Sequence, residues 1–219
     1  MSANMFDQLV GLSAGVLLIT SVLVVWRRSL VAAVRLLAVQ GAALASLVAV
    51  IGVFERDLQL VAVAGLVLAL KAVALPLVLD RSRLRTGALR EQTPLMNTTA
   101  SLLAVSLLTM LAYLVSQPLR VLQPGPTTAA VPVGVCLVLY GFLLLSTRRH
   151  AISQLVGFLV LDNGVAAVAF LTSGGVPFVV ELGASLDVLL VVLILRVLTA
   201  RMTVKFGAAD LDELTELRD

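Results

Sequence analysis

The sequence is poor in charge, histidine and cysteine, and each shortage removes a class of function. Only 13% of its 219 residues are charged, against about a quarter in an ordinary soluble domain. Its one cysteine, Cys136, lies in an apolar stretch, which excludes disulfides and cysteine-ligated metal or iron–sulfur sites within the chain. Its one histidine, His150, stands beside Arg148 and Arg149 without a second candidate ligand and reads as an interfacial base, not a metal site. There is no Gly-rich phosphate loop, no nucleophile elbow, and no haem or flavin signature. The expectation is therefore no cofactor, no metal and no active site in this chain. Nor does the net charge of +3 point to nucleic acid, because the basic residues sit at the ends of apolar segments and no basic face is interleaved with aromatics.

What the chain has in abundance is apolar length. Hydrophobic residues make up 60% of it, in runs of about twenty, the length that crosses roughly 30 Å of hydrocarbon as a helix. A helix apolar all round has no face left for water. The expected architecture is all-α: a polytopic helical protein of the cell (inner or cytoplasmic) membrane, with about seven transmembrane helices in a single domain. The spans are Phe6–Trp26, Leu30–Phe54, Leu58–Leu79, Pro94–Val115, Thr128–Ser146, Ile152–Thr172 and Val176–Leu198. The first is not a cleavable signal peptide, since it lacks a basic start, carries Asp7 and is too long. The longest connectors are the basic stretch Asp80–Thr93 and the Gln-, Pro- and Gly-rich stretch Ser116–Thr127, which reads as a loop.

Basic residues in short connectors set orientation. Arg27 and Arg28 follow the first span, Arg81, Arg83, Arg85 and Arg90 the third, Arg148 and Arg149 the fifth, and Arg201 and Lys205 the seventh. The other side carries only Arg56, flanked by Glu55 and Asp57, and Arg120. The N-terminus is therefore expected outside. The C-terminus is expected in the cytoplasm, as a short tail over residues 200–219 whose acidic stretch Asp210–Glu216 is solvated or docked on a partner.

Most of the remaining information lies in ionisable residues within spans. Asp162, Asp187 and Lys71 each fall roughly 14–17 Å deep at 1.5 Å per residue. A charge there costs about 2.5–3.5 kcal/mol, and such residues more often mark an ion or proton path than not. The alternative is that they pair, Lys71 with an aspartate, and only hold helices together, or that the aspartates stay protonated against backbone. Glu181 lies nearer a surface and is open between these readings. Arg35 and Arg196 are close enough to the surfaces to snorkel. Gln40, Gln154 and Asn163 are candidates for helix-to-helix hydrogen bonds, and Gly157 and Gly164, two turns apart, for close helix packing.

The stretch from Arg148 to Asn163 (Arg-Arg-His-Ala-Ile-Ser-Gln-Leu-Val-Gly-Phe-Leu-Val-Leu-Asp-Asn) resembles the small three-helix subunit of respiratory complex I. That likeness covers about the last ninety residues. Over the whole chain, with Gly-Phe-Leu-Val-Leu-acid-Asn-Gly and an aspartate in the seventh span, the sequence resembles component E of the complex I-related membrane hydrogenases. Leu159 stands where the small subunit has its first intramembrane acid, and Asp162 follows one turn later on nearly the same face. Asp187 takes the place of the second acid.

The resemblance implies a non-catalytic membrane-arm subunit of a hydrogenase-like redox complex that helps couple electron transfer to proton or sodium movement. Its partners would be antiporter-like membrane subunits and a peripheral hydrogenase-like, iron–sulfur arm. Asp162, Asp187, Lys71 and Glu181 would be its ion-path candidates. A scaffold that seals the antiporter-like subunits, or a free-standing small transporter, are the other readings. A weak repeat accompanies the resemblance. Arg27-Arg28, Gln40-Gly41 and Lys71 echo Arg148-Arg149, Asn163-Gly164 and Asp187, as two parallel three-helix units joined by one extra helix.

Overall fold

The computed structural model describes residues 3–27, 29–86, 96–149 and 151–173. Every regular element among them is a helix: α1 (Ala3–Trp26), α2 (Leu30–Glu55), α3 (Leu58–Val67), a π-helical segment (Leu68–Ala74), α4 (Leu75–Thr86), α5 (Thr98–Val115), α6 (Gln117–Leu122), α7 (Pro126–Thr147) and α8 (Ala151–Ser173). Because α3, the π segment and α4 run on without a break, these elements make six helices long and apolar enough to cross a membrane. This is a polytopic helical membrane protein. The expected seventh span, Val176–Leu198, lies outside the described residues, as do Glu181, Asp187 and the tail.

The sequence explains where the helices begin and turn. Ser29 caps α2 by accepting from Ala32 N at 3.4 Å, and Asn97 caps α5 by accepting from Ala100 N at 2.7 Å. A side-chain cap replaces a partner that the first turn lacks. Between α2 and α3 the chain reverses through Arg56, whose φ of 58° is left-handed. Asp57 closes the turn, donating its N–H to Gly52 O at 2.9 Å while its carboxylate caps α3 through Gln59 N at 2.8 Å.

Two connectors depart from the sequence reading. Ser116–Thr127, expected as a loop, contains α6, with Pro118 in its first turn. There a proline's missing N–H has no helical partner to lose. The helix ending the third span continues past Leu79 to Thr86, since no proline or glycine between Asp80 and Thr86 stops it.

The core is a four-helix arrangement in which α1 packs on α2 and α7, and α8 packs on α7 and α2. The third helix lies against α2, and α5 lies against α7 and α1 with most of its apolar surface outward. Such a surface suits lipid, which is as apolar as the side chains it meets. The α7–α8 contact is the most extensive, and small residues make it so. A Cβ on Gly141 would lie 2.6 Å from Leu161 N, and one on Gly164 would lie 2.5 Å from Val138 N. Gly134 and Gly157 are equally confined, by Val168 and Leu144. On each helix the two glycines are seven residues apart, two turns along one stripe.

Gly141→Ala is expected to destabilise the purified protein by about 1–3 kcal/mol, the usual cost of overpacking. Gly15→Ala, where a Cβ meets nothing within 4 Å, is expected to change stability little. Denaturant titration of both variants in detergent checks the contrast.

Candidate functional site

The site begins with a proline. Pro76 has no N–H to give, and the turn ahead of it widens, so that Leu75 N bonds to Leu70 O, five residues back. A π turn carries one residue more than an α turn and changes which side chains beyond it face a neighbour, by about 100°. Lys71 sits inside that turn, near the middle of the third helix. The adjoining helix comes unusually close: a Cβ on Gly41 would fall 2.6 Å from the Lys71 carbonyl carbon and 2.7 Å from Ala72 N. Only glycine lets α2 approach the π segment so nearly.

From there Lys71 reaches across to α8. Its Nζ lies 2.6 Å from Oδ2 of Asp162, itself near the middle of its helix. The lysine side chain is 4% exposed and the aspartate 19%, so the ammonium is enclosed while one side of the carboxylate remains accessible. Leu159, one turn before Asp162, is buried.

Next to the ion pair runs a chain of neutral hydrogen bonds through the interior. Asn163 Nδ2 donates to Gln40 Oε1 at 3.0 Å, Gln40 Nε2 donates to Ser21 Oγ at 2.6 Å, and the Ser21 hydroxyl donates to Leu17 O at 2.6 Å. Helices α8, α2 and α1 are thereby joined, and all three side chains are buried. Polar groups buried in hydrocarbon must satisfy one another, and each link fixes the rotamer of the next. Ser21 carried no signal in the sequence, because a lone serine in an apolar span most often bonds its own preceding turn. It does that here and accepts from Gln40 as well.

The other expected residues are placed as follows. Gln154 Nε2 donates to Arg148 O at 3.0 Å, tying α8 to the end of α7. Arg35 is exposed on α2. Asp187, Glu181, Arg196 and His150 lie outside the described residues. The two positions that the repeat pairs, Gln40 and Asn163, face one another, but their following glycines differ in role. Gly41 packs on the π segment and Gly164 on α7. Among the described residues no group of three or more His, Cys, Asp or Glu side chains lies together as a metal site would need.

Sequence comparison gives the relatives. The chain is 52% identical over 220 residues to the uncharacterized protein Rv0085 of Mycobacterium tuberculosis, covering 100% of both. The chain belongs to the family of that protein. It is also a distant homologue of Hydrogenase-4 component E of Escherichia coli, at 23% identity over 94% of this chain and 95% of that one. Hydrogenase-4 component E of Shigella flexneri matches to the same extent. No family model matches the sequence, and no solved structure does. The near end-to-end alignment supports a component-E-like membrane subunit.

The geometry predicts strong coupling between Lys71 and Asp162. Lys71→Met and Asp162→Leu should each cost about 3–5 kcal/mol, because each strands a buried charge. The double variant should cost much less than the sum. A double-mutant cycle of unfolding free energies in detergent measures this directly.

Proposed function

We propose that this chain is a non-catalytic membrane-arm subunit of a hydrogenase-like, complex I-related redox complex, in which Lys71 and Asp162 form a movable charge pair. The observation that carries the reading is that pair: a lysine and an aspartate 2.6 Å apart, each at the centre of an apolar helix, in a chain homologous to a hydrogenase component. Electron transfer would take place in other subunits. This subunit would couple to it by exchanging the partner of Asp162, or the ion it carries, when the neighbouring membrane subunit rearranges.

The structural features support such a role. Separating the pair changes the local charge by a full unit on each side, and moving one charge through 100 mV corresponds to about 2.3 kcal/mol, comparable with what a buried pair holds. The π turn offers a place where the helix changes register without losing its ends, and π turns recur at functional sites. The partly accessible carboxylate gives Asp162 a side from which an ion or a second residue approaches. Asp162 also stands one turn from the position at which the complex I small subunit carries its acid. In this role the partners are antiporter-like membrane subunits and a peripheral iron–sulfur arm, and the charge carrier is a proton or sodium ion. The location is the cell membrane.

The buried hydrogen-bonded chain Asn163–Gln40–Ser21 favours a second reading, a scaffold that holds larger subunits in register. Asp162→Asn in the native complex separates the two. The coupling reading expects an assembled complex on a native gel with ion translocation reduced by at least tenfold; the scaffold reading expects lost assembly. A complex that assembles and translocates normally would rule out a role for Asp162 in coupling. If the tagged chain purifies from native membranes without partners, the subunit reading itself fails.

A further inference from the structure

The arginine-rich end of the bundle holds a second polar site, separate from Lys71 and Asp162. Four helix ends meet there: α1 stops at Trp26, α2 starts at Leu30, α7 stops at Thr147 and α8 starts at Ala151. Between them lies a pocket, open on one side, of about 20 Å³, with Arg27, Ser29, Arg148 and Ser153 as its polar lining. That volume holds one water-sized group. Among the described residues no acidic side chain lines it.

Several carbonyls at this end are supplied. Arg148 Nη2 donates to Val25 O at 2.9 Å and Arg27 O at 3.4 Å, Gln154 supplies Arg148 O, and the backbone N–H groups of Arg27 and Arg148 close onto Leu23 O and Leu144 O. One buried hydroxyl is left over among the described residues. Ser153 is 5% exposed, and its hydroxyl has no hydrogen-bond partner among the described residues. Ser29 caps the first turn of α2 through Ala32 N, while the first-turn N–H groups of α8 have no partners within their own helix and form the positive end of its dipole. The Arg27 guanidinium adds to the same sign. A pocket with a buried unpartnered hydroxyl, a helix N-terminus, an arginine and room for one oxygen is built for an oxyanion.

Its depth indicates the source of that oxyanion. Trp26 is exposed beside the pocket, and Arg27 Cζ lies 5.3 Å from the centre of its ring. Tryptophan and arginine at a span's end mark the head-group level of a membrane. We propose that the pocket binds one phosphate oxygen of an anionic phospholipid. The oxygen accepts from the Ser153 hydroxyl and the α8 first turn, and Arg27 lies over the rest of the phosphate at the mouth. Basic pockets between transmembrane helices recognise head groups by the same means. The lipid would thereby fix the relative positions of the α1–α2 and α7–α8 turns.

The test uses the full-length protein, delipidated in detergent, with lipid retention followed by native mass spectrometry and thermal stability measured in parallel. Phosphatidylglycerol is expected to be retained and to raise Tm, and phosphatidylcholine to do so far less. Ser153→Ala and Arg27→Gln should each weaken phosphatidylglycerol binding about tenfold, the scale of one hydrogen bond to a charged group. Ser153→Thr keeps the hydroxyl and should retain binding. Arg148 is left intact because it caps α1. Equal retention of both lipids, or binding indifferent to Ser153→Ala and Arg27→Gln, would overturn the proposal. Stabilisation by inorganic phosphate with none by phosphatidylglycerol would overturn the lipid assignment.

Discussion

An ammonium enclosed in hydrocarbon needs a counter-charge within reach, and the Lys71–Asp162 pair meets that need across the middle of the bundle. Much of the surrounding structure follows from it. Lys71 sits in a widened turn ahead of Pro76, Gly41 admits α2 to within backbone contact of that turn, and Asp162 is held in place by helix α8. The glycines between α7 and α8 set how closely that helix lies. Asp162 belongs to the four-helix core and Lys71 to the third helix, so the pair ties that helix to the core. Removing one member leaves an isolated charge, whereas removing both leaves an apolar contact.

The neutral chain Asn163–Gln40–Ser21 lies beside the pair and has a different character. Its members are buried and hydrogen-bonded, so it resists rearrangement and holds α1, α2 and α8 together. The pair, by contrast, is partly accessible at Asp162 and sits on a helix with a π turn. A hydrogen-bonded clamp beside a salt bridge suits the proposed coupling role, in which motion at one residue need not loosen the bundle. The distant homology to Hydrogenase-4 component E fits the proposed role.

The helices were the most legible part of the sequence, since apolar length alone defines a membrane span, and the described helices begin and end within a few residues of the expected limits except at the end of the third, which runs on from Leu79 to Thr86. The placing of Lys71 and Asp162 near the middle of their helices was legible too, because position in the sequence converts directly into position along a helix. Their pairing was one of two open readings, as spacing says nothing of how helices are arranged around one another. The π turn was not legible. Pro76 signals a disturbance but does not say whether the helix kinks or widens. Helix α6 was missed because Pro118 and the residues Gln123–Pro126 dominate its short window, and Ser21 and Ser153 were invisible because their roles depend on neighbours from other helices.

The most direct test of the central claim follows the Asp162 carboxyl group while the assembled complex turns over. Infrared difference spectroscopy, comparing oxidised and reduced states, reports a carboxylic acid gaining or losing a proton or changing its hydrogen bond. A carbonyl-stretch difference band that disappears in Asp162→Asn is the predicted result. Turnover with full ion coupling and no Asp162-dependent band would contradict it.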